Sequence, residues 1–152
     1  MDDPQTKVLP IALASDHGGF RLKSLISAEV KRLGLEVFDL GVFDELSADY
    51  PDQAKLLAER VLSGNSEKGV LVCGTGIGMS IAANRFKGIR AALCHDEYTA
   101  RMSRLHNNAN VLVLGGRVLG DAAALGILNV WLSEDFEGGR HLTRINKLEA
   151  LG

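Results

Sequence analysis

Cys73 closes the apolar run Val70–Cys73 and begins the turn Gly74-Thr75-Gly76-Ile77-Gly78. In a strand-to-helix turn of this kind, successive backbone N–H groups converge on one point and the following helix adds partial positive charge there. Such a turn can hold a phosphate or stabilise an enediolate oxyanion. Thiolates are favoured beside converging donors, which suits a thiol in this place to act as a general base or a nucleophile. The plainer readings are a tight turn without a ligand and a buried, inert cysteine. Two familiar phosphate motifs do not fit the spelling. A P-loop needs a lysine after its last glycine, and the dinucleotide fingerprint would place its third glycine at Met79.

Other groups could bind an anion or move a proton. His17 follows the first apolar run, between Asp16 and Gly18-Gly19, and can offer a contact to an anion at the next helix. Asp16 before glycines can equally make an Asx turn or cap that helix. Arg140 and Arg144 stand four apart with His141 between them, so on a helix both guanidinium groups face one way and can clamp a phosphate. The plainer reading is a solvated basic face beside Glu134, Asp135 and Glu137. His106, ahead of Asn107 and Asn108, is a candidate acid or base, or a surface histidine. Cys94, His95, Trp131 and Phe136 read as structural.

The elements that must position these groups alternate along the chain. Apolar runs predict strands over Leu9–Ala14, Glu36–Leu40, Val70–Cys73, Ile89–Cys94 and Val111–Leu114. Amphipathic stretches predict helices over Phe20–Leu33, Pro51–Leu62, the residues after the glycine turn through Asn84, Asp96–Leu105 and Asp121–Leu132. A last helix or extension covers Glu137–Leu151, and Gly34 reads as a helix stop. Five strands, each followed by a helix, imply an α/β fold: a three-layer, doubly wound, five-stranded parallel sheet of Rossmann or flavodoxin type, with a C-terminal helical extension. The uninterrupted third strand reads as central. Ligands of such sheets bind at the carboxyl ends of the strands, where the winding reverses. Three groups are assigned there: the residues from Ser15 to Gly19, the Cys73 turn, and the segment around His106.

The chain's 152 residues fit one domain, and 46% apolar and 24% charged residues are ordinary for a globular protein. Seventeen basic against nineteen acidic residues give a formal net charge of −2. No uniform basic field exists for nucleic acid or an anionic membrane, so any bound anion is gripped locally. Two cysteines make no disulfide framework, and the histidines do not pair with them at zinc spacing. With no secretory pattern and no run of eighteen apolar residues, the expected place is the cytoplasm. Residues 1–9 read as a flexible lead-in.

Five segments occur together in one known family. Ser15-Asp16-His17-Gly18-Gly19-Phe20, Asp49-Tyr50-Pro51, Cys73 to Gly78, Arg104 to Val111 (Arg-Leu-His-Asn-Asn-Ala-Asn-Val), and Phe136 to Arg144 closely resemble the B-type ribose-5-phosphate isomerases. That family also contains galactose-6-phosphate and allose-6-phosphate isomerases. The resemblance runs in order from about residue 10 to residue 147. It implies an aldose–ketose isomerase without metal or organic cofactor, working through a cis-enediolate, with ribose 5-phosphate as the leading substrate.

Carried over by position, the resemblance makes Cys73 the base that moves a proton between C2 and C1. The backbone of Gly74, Gly76, Ile77 and Gly78 would hold the enediolate oxygens, with Thr75 and Asn107 nearby. His106 would help open the sugar ring, and Asp16 and Tyr50 would line the sugar pocket. His17, Arg117, Arg140 and Arg144 would bind the phosphate. Relatives are dimers or tetramers whose sites draw on two subunits, so a homo-oligomer is implied. Some relatives place a glutamate base where this chain has Met79, which marks it as the cysteine type. Asn108 stands where aspartate is frequent, and the loop Phe43–Ala48 departs from the ribose-type loop, which bears on the identity of the sugar. Readings from other classes are a phosphate- or nucleotide-binding module, a redox thiol protein, and a subunit that works only with a paralogue.

Overall fold

The computed structural model describes residues 7–152; residues 1–6 of the expected lead-in lie outside the described residues. Five strands form: β1 (Ile11–Ser15), β2 (Val37–Asp39), β3 (Gly69–Cys73), β4 (Ala91–Leu93) and β5 (Val111–Gly115). Six helices accompany them: α1 (Phe20–Arg32), α2 (Tyr50–Leu62), α3 (Ile77–Ala83), α4 (Glu97–Leu105), α5 (Asp121–Ser133) and α6 (Arg140–Glu149). A single 3₁₀ turn, His17–Gly19, leads into α1.

All strands run parallel, in the order β2-β1-β3-β5-β4. Right-handed crossovers dictate where the helices go. The chain moves one way across the sheet from β1 to β2 and from β4 to β5, and the other way from β2 to β3 and from β3 to β4. Helices α1 and α4 therefore share one face and α2 and α3 the other. The two cores show this division. Leu13, Val72 and Leu114 pack with Leu22 and Ile26 of α1, Ala100 of α4 and Trp131 of α5. Ala14, Leu71 and Val113 pack with Leu57 of α2 and Met79 of α3. Strand β3 is central, as its unbroken apolar run implies. Relative to the flavodoxin order, the last two strands are exchanged.

Element boundaries differ from expectation for local reasons. Pro10 has no N–H, so the ladder begins at Ile11, whose N–H donates to the Glu36 carbonyl at 2.9 Å. The edge strands β2 and β4 are shorter than Glu36–Leu40 and Ile89–Cys94, because each pairs on one side only. The last helix begins at Arg140 rather than Glu137, since Gly138 and Gly139 take positive φ values of 68° and 56°. Gly34, at φ 81°, ends α1 as expected. Among the described residues, no helix is long and apolar enough to cross a membrane.

Glu29 combines an ion pair within α1 with a hydrogen bond to a second helix of the same layer. Glu29 of α1 accepts bonds from Arg32 at 2.7 and 2.8 Å and from Asn129 of α5 at 3.0 Å. These partners, Arg32 foremost, hold its carboxyl at about 2 against an ordinary 4.5. A depressed carboxyl stabilises the fold above its unfolded value and loses that contribution as pH falls through the folded one. Glu29→Gln is therefore expected to melt lower than the wild type at pH 7. Melting curves should show the gap closing between about pH 4.5 and pH 2; a pH-independent gap would remove Glu29 ionisation as its cause.

Candidate active site

Strands β1 and β3 lie side by side, and the chain leaves them in opposite directions with helices on opposite faces. Their carboxyl ends therefore open the crevice at which open α/β sheets take ligands. Three loops meet at this end of the sheet: Asp16–Gly19 after β1, Gly74–Gly76 after β3, and Gly116–Arg117 after β5.

Cys73 is 4% exposed at the head of the middle loop, and its Sγ accepts a hydrogen bond from the Gly76 N–H at 3.1 Å. That bond requires glycine at 76. Its φ is 79°, and a Cβ there would lie 2.5 Å from Leu93 Cδ1 and 3.1 Å from the Leu114 carbonyl carbon. The Tyr50 ring covers the far side of the turn, since a Cβ on Gly78 would sit 2.7 Å from Tyr50 Cζ. Thr75 is exposed, and its Oγ1 accepts from the Ile77 N–H at 3.2 Å.

Arg117 follows two glycines at the end of β5. Its N–H donates to the Gly74 carbonyl at 2.9 Å, and its side chain lies over the contact between Gly18 and Gly74. Its place just after a strand could have marked it without any resemblance.

Asp16 is buried, and its side chain accepts from the Gly19 N–H at 3.1 Å, the capping role open to it from sequence. His17 Nδ1 accepts from the Ala48 N–H at 3.1 Å, tying the loop before α2 to this end of the sheet. A ring nitrogen that accepts carries no proton, which leaves the proton of a neutral His17 on Nε2.

The structure corrects the placement of His106. The expectation set it with the strand carboxyl ends, but it caps α4 and precedes β5, at the amino end of the sheet. Asn110 shows the level: its carbonyl accepts from Gly69 N–H, at the start of β3. Cys73 lies four residues further on, roughly 13 Å along the strand at ~3.3 Å per residue. Asn107, Arg140 and Arg144 go with His106. Glu137 N–H donates to the Leu105 carbonyl at 3.1 Å, which clips the start of α6 to the end of α4. Within one chain, the predicted site is split between two ends of the sheet.

At the second end the structure adds a residue absent from the predicted site. His141 is 4% exposed and stacks on His106, with ring centroids 4.1 Å apart and planes 11° from parallel. Its Nε2 stands 3.3 Å from a Glu137 carboxylate oxygen. Burial, followed by the charges of His106 and Arg140, pushes His141 below the ordinary imidazole range. Its apolar neighbours in sequence, Leu142 and Ile145, gave no sign of an aromatic stack.

Known proteins share this architecture. The chain is 45% identical over 141 residues to ribose-5-phosphate isomerase B of Escherichia coli, covering 93% of this chain and 95% of that one. The solved ribose-5-phosphate isomerase B of Clostridium thermocellum superposes with a TM-score of 0.93 at 50% identity, covering 94% of this chain and 97% of that one. The enzyme of Mycoplasma genitalium, solved with bound ribulose-5-phosphate, superposes at 0.88 with 43% identity, over 93% of this chain and 95% of that one. The profile of one family, Ribose/Galactose Isomerase, matches residues 11–148. With nearly its whole length matched in sequence and in fold, this chain belongs to the ribose/galactose isomerase family.

Proposed function

We propose that this chain interconverts D-ribose 5-phosphate and D-ribulose 5-phosphate, as one domain in a homo-oligomer whose sites each combine two copies. That it is an aldose–ketose isomerase of sugar phosphates follows from its family. The choice of ribose rests on the relatives named for that substrate, one of them solved with ribulose-5-phosphate bound. The observation that carries the chemistry is Cys73, buried at the head of a turn whose Gly76 N–H reaches its sulfur.

The reaction moves one proton from C2 to C1 and one from O2 to O1 and needs no redox cofactor. Cys73, as thiolate, takes the proton from C2 of the open-chain aldose and returns it to C1. Backbone donors of Gly74, Gly76, Ile77 and Gly78, with Thr75, hold the enediolate oxygens as charge develops on them. Tyr50 and Asp16 line the sugar beside the turn. His17 presents its Nε2–H, and Arg117 its guanidinium, to the phosphate. From a second copy come His106, to open the sugar ring, Asn107 beside the enediolate, and Arg140 and Arg144 to complete the phosphate clamp. We place the enzyme in the cytoplasm, where charged sugar phosphates are retained.

The test is proton NMR of the purified protein in D₂O with ribose 5-phosphate, allose 6-phosphate, galactose 6-phosphate and erythrose 4-phosphate. Ribose 5-phosphate should turn over fastest, with deuterium entering the product. Faster turnover of another sugar would keep the mechanism and overturn the substrate. A binding module would show no turnover and no exchange with any of them.

The clamp has its own expected result. Arg140 and Arg144 are both exposed, near the start of α6. Arg140→Ala or Arg144→Ala should raise KM about tenfold or more, since a charge-assisted bond contributes roughly 1.5–3 kcal/mol. Steady-state kinetics with an unchanged KM would take that arginine out of the clamp.

A further inference from the structure

A second chemistry is available at the His106 end of the sheet. His106, Glu137 and His141 each offer one donor atom, and these atoms lie within 4.8 Å of one another. Two imidazoles and a carboxylate are a donor set that holds Zn²⁺ with one coordination position open. We propose that these three residues bind a divalent cation of the zinc class, and that its binding withdraws His106 from the isomerase reaction.

One ring must turn before such an ion is held: the His106 and His141 planes lie 11° from parallel with centroids 4.1 Å apart, so their in-plane lone pairs do not converge as they stand. Tetrahedral bonds of ~2.0–2.1 Å put ligand atoms roughly 3.3 Å apart, the spacing already found between His141 Nε2 and the Glu137 carboxylate. His141 is fixed by burial, whereas His106 is half-buried and Glu137 exposed, so two of the three ligands can turn toward the third. The Glu137–Leu105 backbone bond, 3.1 Å, keeps the two contributing segments together, and the His141–Gly138 bond, also 3.1 Å, fixes the turn between Glu137 and His141.

The neighbourhood selects the kind of ion. A single carboxylate offers too few oxygen ligands for Mg²⁺ or Ca²⁺, while the charges of Arg140 and Arg144 oppose any divalent cation and must be outweighed by the ligand bonds. Zn²⁺, Ni²⁺ and Co²⁺ draw on imidazole nitrogen instead. Metal binding by these three residues is measurable independently of the function proposed above, although His106 belongs to both. The loss of activity on binding rests on the role of His106 there.

The test measures binding first, without substrate. Tag-free protein, stripped with EDTA and dialysed, is titrated calorimetrically with Zn²⁺ and, separately, with Co²⁺ followed by its visible absorption. One ion per chain is expected. His141→Ala and Glu137→Gln should each weaken binding at least tenfold, while Cys73→Ala retains it and excludes the thiol as the ligand. Equal binding by wild type and both ligand variants, or no binding by the wild type, would overturn the site. A thermal melt of each variant separates loss of a ligand from loss of the fold, and if His141→Ala does not fold, Glu137→Gln alone decides. In the second arm, Zn²⁺ should abolish wild-type isomerisation, with recovery on adding EDTA. Stoichiometric binding with full activity would keep the metal site and overturn the part assigned to His106.

Discussion

Replacing Cys73 with alanine is expected to lower isomerase turnover by about 10³-fold, within the roughly 10²–10⁴ that a positioned base contributes. The sulfur touches the Gly76 N–H and is otherwise enclosed, so little else in the site changes with it. The phosphate contacts are made by other side chains, and ribose 5-phosphate should still raise the melting temperature of the variant. The decisive reading is exchange of the C2 proton with D₂O, because a defect in ring opening or product release leaves exchange of the open-chain form intact. Cys73→Ser adds a control of nearly the same shape. Its hydroxyl is a much weaker base at neutral pH, so it too should lose exchange. Turnover within tenfold of the wild type in either variant would remove Cys73 as the base.

Much of this was legible from residue types alone. Alternation along β1, with Ile11 and Leu13 on one core and Ala12 and Ala14 on the other, is what a sheet covered on both faces demands. The Cys73 turn and the residues after β1 could be placed because a strand's carboxyl end is where such sheets bind ligands. The exchange of β4 and β5 was less open, since neighbouring strands in sequence are usually neighbours in space. Yet Val111 to Gly115 are all buried and Ala91 to Leu93 only partly so, which fits the longer apolar run to the interior position. His17 gripping Ala48, and His141 stacking beneath His106, depend on loop paths that no periodicity encodes.

His106 is instructive in a different way. In a parallel sheet, a residue just before one strand and a residue just after another stand at opposite ends, whatever the strand order. Grouping His106 with Cys73 because both flank strands overlooks that direction. The five parallel strands leave no hinge that could bring the two together: β3 and β5 pair from Gly69 with Val111 to Cys73 with Gly115, and every core residue of both is buried.

That rigidity leads to the second large effect. If each site takes Cys73 from one copy and His106 from another, Cys73→Ala and His106→Ala should both be nearly inactive as pure oligomers. Combined, they should recover. In a two-fold symmetric dimer both sites are equivalent, and a mixed dimer of the two variants carries one site with both changes and one with neither. Random assortment makes half the dimers mixed, so roughly a quarter of the wild-type activity should return. Co-expression of the two chains with different affinity tags isolates the mixed species, for which about half is expected. The double variant paired with wild type distinguishes shared sites from simple dilution, because there every mixed dimer has one singly altered residue in each site and activity falls. Recovery to a quarter would locate every site between two copies. No recovery from co-expressed, tag-purified mixed dimers would mean that Cys73 and His106 serve the same site from one chain, against the roughly 13 Å of strand that separates their levels in this fold.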